Sequence, residues 1–323
     1  MLRDSGLLET VQHSGSAGMT LDEAAAKVDL PRYGIKVLLE SGLGIGLFHL
    51  DDGRFALTQL GFTMLRDPMT RINMDIVHDV CYRGMFDLDI AVQEGRPAGL
   101  KTLGNWKTVY EGLSSLTPQA RKSWLAFNHF YSDKAFPAAV PLVLADHPQR
   151  LLDVGGNTGK WAVQCAAFDP RVHITIVDLP QQLEFARETI RQHRLEHRVD
   201  CLAIDVLDES TAFPGGYDAI WMSQFLDCFS PDEIVSILRR VAQSLTAGGT
   251  LYILELFWDR QPNETAAFCL QQTSLYFACI ANGNSQMYHS ADMLRCLRES
   301  NLELIEERDR VGQFHTLLKC RRA

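Results

Sequence analysis

The segment from Asp153 to Asp178 constrains the fold of this 323-residue chain more than any other. A short apolar run leads into the turn Asp-Val-Gly-Gly-Asn-Thr-Gly, residues 153–159, and a helix-like stretch follows at 160–168. A second apolar run, 173–177, ends in Asp178. A strand, a glycine turn, a helix and a strand that ends in an acid form half of a nucleoside-binding α/β sheet, in which the acid accepts hydrogen bonds from ribose hydroxyls.

The glycine spacing of this turn excludes two phosphate-binding motifs. In the dinucleotide fingerprint Gly-x-Gly-x-x-Gly, counting from Gly155 puts Asn157 in the second glycine position and Lys160 in the third. A P-loop needs four residues between its glycines, whereas three separate Gly155 from Gly159. The turn therefore predicts a nucleoside ligand held without a phosphate-binding loop, and an α/β turn that binds nothing is the alternative.

Length and composition exclude several classes of protein. At ~150 residues per domain, a chain of 323 residues predicts two domains. The net charge of -9 disfavours nucleic-acid binding, and no apolar run approaches the ~18 residues of a membrane span. The eight cysteines contain no Cys-x-x-Cys pair, so we expect reduced thiols in a cytoplasmic protein and no metal site.

Residues 1–70 have the pattern of a winged-helix unit, in which helices precede two short strands. Thr20-Leu-Asp-Glu23 has the form of a capping box, and the next helix is expected to break at Gly42 and Gly44. The strand-like pieces lie at 47–50 and 54–57. Six Lys/Arg against nine Asp/Glu disfavour a DNA-reading face, so we expect dimerisation rather than the alternative, a DNA regulator with a sensor domain.

Residues 71–148 have a mainly helical pattern and are rich in aromatic side chains. These side chains suit either an interdomain core or the wall of a pocket for an aromatic substrate. They are Trp106, Tyr110, Trp124, Phe127, Phe130, Tyr131 and Phe136. Pro137, Pro141 and Pro148 are expected to mark the approach to the second domain.

From Arg150 onward, strand-like and helix-like patterns alternate. Strands are expected at 150–154, 173–178, 199–204, 217–223 and 249–255, and helices at 158–168, 180–193, 231–246, 262–281 and 290–300. The last two strand patterns, 302–308 and 313–320, have a connection too short for the crossover that parallel strands need. They must form an antiparallel hairpin, so the pattern predicts an α/β fold with a parallel sheet that ends in this hairpin.

Residues ~10–320 resemble the plant caffeate-type and bacterial natural-product O-methyltransferases, which are class I S-adenosylmethionine (SAM)-dependent enzymes. The motifs that carry the resemblance are Leu38-Leu-Glu-Ser-Gly42, Leu57-Thr-Gln-Leu-Gly61, Leu152-Asp-Val-Gly-Gly156, Val177-Asp-Leu-Pro180, Tyr217-Asp-Ala-Ile220 and the Gly248-Gly249 turn before a strand. The resemblance implies a homodimer with a seven-stranded Rossmann-like sheet. It divides the chain into a winged-helix dimerisation domain (1–70), a helical connecting and substrate-lining segment (71–148) and a SAM domain (149–323).

The same resemblance implies ten cofactor-binding residues, which lie at or just after the carboxyl ends of parallel strands. They are Asp153, Gly155, Gly156 and Gly159 for the amino-acid end of SAM, Asp178 and Leu179 for the ribose, Asp205 and Val206 for adenine, and Ser223 and Gln224 for the sulfonium. For Asp205, a helix N-cap before Leu207 is the alternative.

The segment after the fourth strand departs from the family pattern Leu-His-Asp-Trp-Ser-Asp-Glu, in which the His is the general base. Here Leu226 is followed by Asp227 and Cys228. Proton transfer from a phenol of pKa ~10 to an ordinary aspartate of pKa ~3.9 is uphill by about 8 kcal/mol, so an aspartate needs a raised pKa to match histidine. Three hypotheses remain: a substrate that is unusually acidic, an Asp227 that hydrogen-bonds the substrate and promotes methylation at a ring carbon, or catalysis by proximity with Asp227 capping the helix near Pro231.

His289 is the second candidate catalytic residue, because it follows a stretch, Phe268 to Met287, that is expected to form a wall of the substrate pocket. His129 and His315 are weaker candidates. A structural role is the alternative for all three histidines, and plain helix packing is the alternative for the pocket wall.

We therefore expect in-line methyl transfer from SAM, without a metal, to a hydroxyl of a small aromatic or polyketide-like molecule of secondary metabolism. Methylation of an activated, phenolic ring carbon is the alternative reaction. A SAM-binding dimer without catalytic activity is the further alternative. No nucleic-acid or membrane partner is expected.

Overall fold

The computed structural model describes residues 1–323, which form two compact units, Met1–Val77 and His78–Ala323. The first unit contains five helices and one antiparallel hairpin. They are α1 (Leu7–Gln12), α2 (Leu21–Ala25), α3 (Arg32–Gly44), β1 (Phe48–Asp51), β2 (Arg54–Leu57), α4 (Gln59–Arg66) and α5 (Pro68–Ile76). The predicted capping box is present at the start of α2, where Thr20 accepts from the backbone N–H of Glu23.

The expected helix break at Gly42 is wrong, because α3 continues to Gly44. A Cβ added at Gly42 would lie 2.5 Å from the ring of Phe48, so this glycine makes room for the packing of β1. At the start of α4, the hydroxyl of Thr58 accepts from the Gly61 N–H and caps the helix.

The second unit begins with helices, α6 (Leu88–Glu94), α7 (Val109–Gly112) and α8 (Pro118–Val143). Pro137 and Pro141 lie inside the 26-residue α8 rather than at its end. A proline ring removes one backbone donor and crowds the preceding turn. The sequence therefore did not predict an uninterrupted helix across these two prolines. The burial of Phe136 and Ala139 beside these prolines keeps α8 packed along its length.

A seven-stranded sheet forms the centre of the second unit, in the order β5-β4-β3-β6-β7-β9-β8. Its elements are β3 (Arg150–Val154), α9 (Lys160–Phe168), β4 (His173–Asp178), α10 (Pro180–Gln192), β5 (Val199–Ala203), β6 (Tyr217–Ser223), α11 (Pro231–Ala242), β7 (Leu245–Glu255), α12 (Glu264–Tyr276), α13 (Ser290–Glu299), β8 (Leu302–Val311) and β9 (His315–Arg322). Only β9 breaks the parallel arrangement, because it is antiparallel to both of its neighbours, β7 and β8. The predicted α/β fold with an antiparallel terminal hairpin is confirmed.

Several element boundaries differ from the expectation, and two of the differences have a visible structural cause. β7 starts at Leu245 instead of 249, because the Gly248-Gly249 pair lies in an irregularity inside the strand, where the register with β6 shifts between Tyr217 and Ala219. The helix expected at 262–281 ends at Tyr276 and continues as a π-helical turn, Phe277–Ala281.

The two faces of the sheet bury separate cores, as the alternation of side chains along β6 shows. Ile220 and Met222 pack with α11 and α13 on one face, whereas Ala219 and Trp221 pack with α8, α9 and α10 on the other. The carboxyl ends of β3, β4 and β6 share one edge, which positions the site. None of the helices has the length and apolar character that a membrane crossing requires.

Candidate cofactor and methyl-transfer site

A pocket lies at the carboxyl ends of β3 and β6, between the sheet and α8. Its lining includes five of the residues expected to bind SAM. They are Asp153, Gly155, Gly156, Ser223 and Gln224. The opposite lining comes from α8 and from the first turn of α9.

The glycine turn is built so that side chains are excluded from it. Gly155 has φ +76°, and a Cβ on it would lie 2.2 Å from the ring of Phe225. A Cβ on Gly156 would lie 2.6 Å from Asp153 Oδ2. Gly159 also has positive φ, +76°, and precedes the first residue of α9. Because L side chains rarely adopt this backbone region, the turn needs glycine for its shape.

Asp178 holds the turn to the end of β4. Its Oδ2 accepts the Asn157 N–H at 2.9 Å, and its Oδ1 accepts the N–H of Leu179 at 2.7 Å. Burial raises the pKa of this carboxyl to about 6, against the lowering effect of the two backbone donors. Each oxygen still has acceptor capacity, which is the chemistry that a ribose diol requires.

Four buried side-chain oxygen atoms around the pocket have no hydrogen-bond partner in the protein. They are Asp153 Oδ2, Asn157 Oδ1, Ser223 Oγ and Gln224 Oε1. Asn157 and Gln224 also have φ +48°, which is unusual for residues other than glycine. Buried acceptors without partners are costly, so their concentration at one pocket indicates a ligand that supplies donors or positive charge.

Burial, together with the charge of Asp178, raises the pKa of Asp153 to about 8. A cation beside Asp153 would favour its ionised form. SAM carries an ammonium and a sulfonium, so the residues present fit this cofactor.

The residues expected to bind adenine lie outside this pocket lining. The Oδ1 of Asp205 accepts the Leu207 N–H at 2.9 Å and closes a turn, and no helix starts there, so the N-cap alternative is wrong. Asp205 is exposed and Val206 is buried. Their contacts to adenine stay a prediction, as does the position of Leu179 beside the ribose.

Asp227 lies in a short 3₁₀ turn, Leu226–Cys228, directly after β6. It is only 7% exposed, and it accepts a weak hydrogen bond from the Cys228 thiol, with Sγ 3.4 Å from Oδ1. Burial raises its pKa to about 6. The helix-cap hypothesis for Asp227 is wrong, because Ser230 and Glu233 form a capping box at the start of α11.

Glu255, at the end of β7, is a functional candidate that the sequence analysis missed. It is 1% exposed, and its Oε1 accepts the N–H groups of Phe225 and Leu226 at 2.9 and 2.8 Å. Burial and the nearby charge of Asp227 raise the pKa of Glu255 well above its ordinary range. An acid at the carboxyl end of a strand beside β6 was the signal that could have found it.

Aromatic side chains surround Asp227 on the side of the helical segment. The pKa of Tyr110 is raised by burial and by the charges of Cys228, Tyr276 and Asp227. The indole Nε1 of Trp124 donates to Tyr276 Oη at 2.9 Å. Phenol and indole groups close to a buried carboxyl are the surroundings expected for a flat aromatic acceptor.

The three candidate histidines lie in three different places. His289 caps α13, where its Nδ1 accepts the Ala291 N–H at 3.0 Å, and its ring packs edge-on against Trp258. His129 lines the pocket from α8, 3.4 Å from Thr158 Oγ1. His315 is fully buried in β9. The structure thus gives His289 a structural contact and brings His129 to the pocket.

Comparisons with known proteins agree with this architecture. An O-methyltransferase domain matches residues 139–295, and a Dimerisation2-like domain matches residues 1–55. The L-tyrosine C(3)-methyltransferase of Streptomyces lavendulae is 23% identical over 84% of this chain and 74% of that protein. The 3-hydroxy-5-methyl-1-naphthoate 3-O-methyltransferase of Streptomyces sahachiroi is 32% identical over 34% of this chain and 32% of its own.

Solved structures share the whole fold. The SAM-dependent methyltransferase SibL in its apo form has 25% identity and a TM-score of 0.72, and the alignment covers 99% of this chain and 94% of that one. An O-methyltransferase of neocarzinostatin biosynthesis, in complex with SAM and 2-hydroxy-5-methyl naphthoic acid, has 19% identity and a TM-score of 0.74, covering 100% and 95%. With the fold, the pocket and both domain matches in agreement, this chain is a SAM-dependent methyltransferase of the O-methyltransferase family.

Proposed function

We propose that the protein methylates a small aromatic acceptor, at a phenolic oxygen first and at an activated ring carbon as the second candidate. The burial of Asp227 in the position of the family's general base carries this proposal. SAM supplies an electrophilic methyl group when it is bound. The cofactor roles of the ten residues named from the sequence, and the functional division into 1–70, 71–148 and 149–323, are part of the proposal.

The raised pKa of Asp227 makes it a usable base. At a pKa of about 6 it approaches an ordinary histidine, ~6.5. Proton transfer from a phenol of pKa ~10 is then uphill by about 5 kcal/mol instead of about 8. Glu255 supports the role, because its bonds to the Phe225 and Leu226 N–H groups fix the segment that carries Asp227. Orientation of the acceptor supplies the rest of the rate.

A specific observation favours the ring carbon as second candidate. Asp227 hydrogen-bonds as an acceptor, and a phenol that donates to it gains electron density at the ring positions ortho and para to the oxygen. The Streptomyces lavendulae relative is named as a C(3)-methyltransferase of L-tyrosine, and the Streptomyces sahachiroi relative as a 3-O-methyltransferase of a naphthoate. Both acceptors are phenolic, which supports the substrate class for this chain.

Assembly and location complete the proposal. The Dimerisation2-like domain at residues 1–55 supports a homodimer, and sedimentation of the full chain at twice its 36.3 kDa mass is the expected result. The scattered cysteines, without a Cys-x-x-Cys pair, support a cytoplasmic enzyme.

A methylation assay with isotopically labelled SAM tests the reaction. The acceptors are L-tyrosine, a hydroxynaphthoate and the corresponding methyl ethers, in which the phenolic oxygen is blocked. Label on oxygen, released by ether cleavage, identifies O-methylation, and label that resists cleavage identifies ring methylation. If the protein binds S-adenosylhomocysteine but transfers no label to any phenol of a wider panel, the proposal is contradicted. The non-catalytic SAM-binding dimer would then be the remaining alternative.

A further inference from the structure

The turn that carries Asp227 is held from two sides by hydrogen bonds to its backbone. On one side, Glu255 accepts two N–H groups of the segment that leads into the turn. On the other side, Asn282 Nδ2 donates to the carbonyl of Cys228, and Tyr288 Oη donates to the next carbonyl at 2.6 Å. Because these bonds fix the backbone, the relative position of the Asp227 and Cys228 side chains is fixed as well.

The carboxylate of Asp227 receives a hydrogen bond from its sequence neighbour. The thiol of Cys228 is the donor, with Sγ 3.4 Å from Oδ1. A thiol carries one hydrogen, so this bond occupies Oδ1 and leaves Oδ2 for another donor. A thiol is also a weak donor, and a strong donor would stabilise the carboxylate and weaken it as a base. Cys228 can therefore orient the base at little loss of its basicity.

The phenol of Tyr110, in α7, is a second polar neighbour of this thiol. Burial raises the pKa of Tyr110 and of Cys228. The hydrogen bond between them raises the pKa of the phenol further and lowers that of the thiol, so the phenol donates and the sulfur accepts. The thiol keeps its own hydrogen for Asp227. Phenol, thiol and carboxylate thus form a row of three groups in which each donates to the next.

The remaining ionisable groups that face Asp227 come from three other elements. They are Tyr276 at the end of α12, Tyr288 before α13 and Glu255 at the end of β7. None of them is a cation, and burial raises the pKa of all three. None therefore offers the carboxylate a positive charge at neutral pH, which leaves Cys228 as the side chain that is placed to orient it.

We propose that Cys228 is a positioning residue for methyl transfer: its thiol holds Oδ1 of Asp227 and so directs Oδ2 toward the hydroxyl of the acceptor. The proposal rests on the proposed function, in which Asp227 is the base. In the reaction the acceptor O–H bond breaks and its proton passes to Oδ2. The acceptor oxygen bonds to the methyl carbon, and the C–S electron pair stays with the sulfur of the cofactor. Cys228 contacts neither reactant and acts through Asp227.

An infrared measurement tests the contact without any acceptor. The S–H stretching band of a thiol lies at lower frequency when the thiol donates a hydrogen bond. The difference between the wild type and Cys228→Ala identifies the band of this thiol. We expect the band to move to higher frequency in Asp227→Asn, because an amide is a weaker acceptor than a carboxylate. In the wild type it should move the same way as the pH falls through about 6, where Asp227 is protonated.

Kinetics of two Cys228 variants test the role of the contact. Cys228→Ser keeps a donor and Cys228→Ala has none, and transfer of label from SAM to a hydroxynaphthoate gives kcat and KM across the pH range. We expect Cys228→Ala to lower kcat roughly tenfold and to change KM less than about twofold. The acid limb of its pH–rate profile should move upward from about 6, because the donor that lowers the pKa of Asp227 is lost.

Cys228→Ser should restore kcat to within about threefold of the wild type, with the acid limb at or below about 6, because a hydroxyl is a stronger donor than a thiol. The matched control is Cys320→Ala, at a buried cysteine of β9, which should leave both kcat and the acid limb unchanged. Melting temperatures check that each variant is folded.

Equal losses in the serine and alanine variants, with no movement of the acid limb, would show that Cys228 only fills space and would overturn the proposal. An S–H band that ignores Asp227 in an active enzyme would overturn the positioning role alone. A band that responds to Asp227 in a wild type that methylates no phenol would instead refute the proposed function, and the role of Cys228 with it.

Discussion

The glycine turn and the segment that carries Asp227 are neighbours that serve the same reaction in different ways. The turn leaves buried acceptors without partners, whereas the Asp227 segment has its backbone N–H groups bonded to Glu255. They meet where the Phe225 ring fills the space that a side chain on Gly155 would need. One region has several buried oxygens without partners, whereas in the other only Glu255 Oε2 lacks a partner, and burial raises the pKa of Asp227 there. Binding and chemistry should therefore respond to different substitutions.

The largest expected effect is on the binding of the cofactor. Asp178→Ala removes the acceptor for the Asn157 and Leu179 N–H groups and the proposed ribose contact. We expect the affinity for S-adenosylhomocysteine, measured by calorimetry, to fall at least about a hundredfold, since a charged contact and the shape of the turn are lost together. Asp200→Ala, at an exposed acid on β5, is the control. An unchanged affinity for Asp178→Ala would refute the ribose assignment.

The second effect is on the chemistry. Asp227→Asn is expected to lower turnover by about 10²–10⁴, the usual contribution of a general base, with nucleoside affinity unchanged. Because a base must be ionised, the wild-type rate should fall as the pH drops through about 6, the raised pKa of Asp227. Asp232→Asn, at an exposed acid nearby, should keep the wild-type profile. Equal rates for Asp227→Asn and the wild type would show that Asp227 has no role in the chemical step.

The third effect concerns the stability that the ligand-free protein loses because a buried acid, Asp153, lies in the cofactor pocket. The pKa of Asp153, about 8, is raised above the ordinary value, so the ligand-free protein favours the protonated acid and loses stability as the pH rises from about 4 to about 8. Asp153→Asn removes the charge. We expect it to stabilise the ligand-free protein by on the order of 2 kcal/mol at pH 8, with little change at pH 4.

Urea unfolding at the two pH values measures this difference, and calorimetry should show weaker nucleoside binding by the same variant. An Asp153→Asn protein that is less stable at pH 8 than the wild type would show that the acid is satisfied without ligand.

The smallest effect separates the helix cap from the base. Ser230→Ala removes half of the capping box of α11, and loss of such a cap costs about 1 kcal/mol in unfolding free energy. Turnover should remain within about twofold, because Ser230 contacts Glu233 and not the acceptor. Thr20→Ala removes the same kind of box from α2 and gives the reference value. If Ser230→Ala lost as much turnover as Asp227→Asn, the helix cap and the base could not be separated.

The fold and the glycine turn of the cofactor pocket could be predicted because local rules determine them. Glycines at φ +76° with fixed spacing, and an acid at the end of the next strand, specify a turn whatever surrounds it. The antiparallel hairpin followed from the length of one connection. Such features depend on a few consecutive residues, so the sequence displays them directly.

The rest depends on contacts between distant residues. Glu255 reaches the Phe225 N–H across 30 residues, and no local pattern announces that contact. His129 reaches the pocket because α8 packs on the sheet beside α9, which a helical pattern alone does not predict. A glycine in a helical pattern can either end the helix or lie inside it, and for Gly42 only the packed ring of Phe48 shows which. The pKa of Asp227 follows from burial, and burial is a property of the folded chain.

The indoles of Trp161 and Trp221 lie in parallel, 3.8 Å apart, and both residues belong to the lining of the cofactor pocket. Such a pair gives the enzyme a built-in optical reporter. A nucleoside that enters the pocket changes the polarity next to the stacked rings, so the ultraviolet emission and the near-ultraviolet circular dichroism of the unlabelled protein should register occupancy in real time. Occupancy could then be followed through every turnover without a dye or a coupled assay.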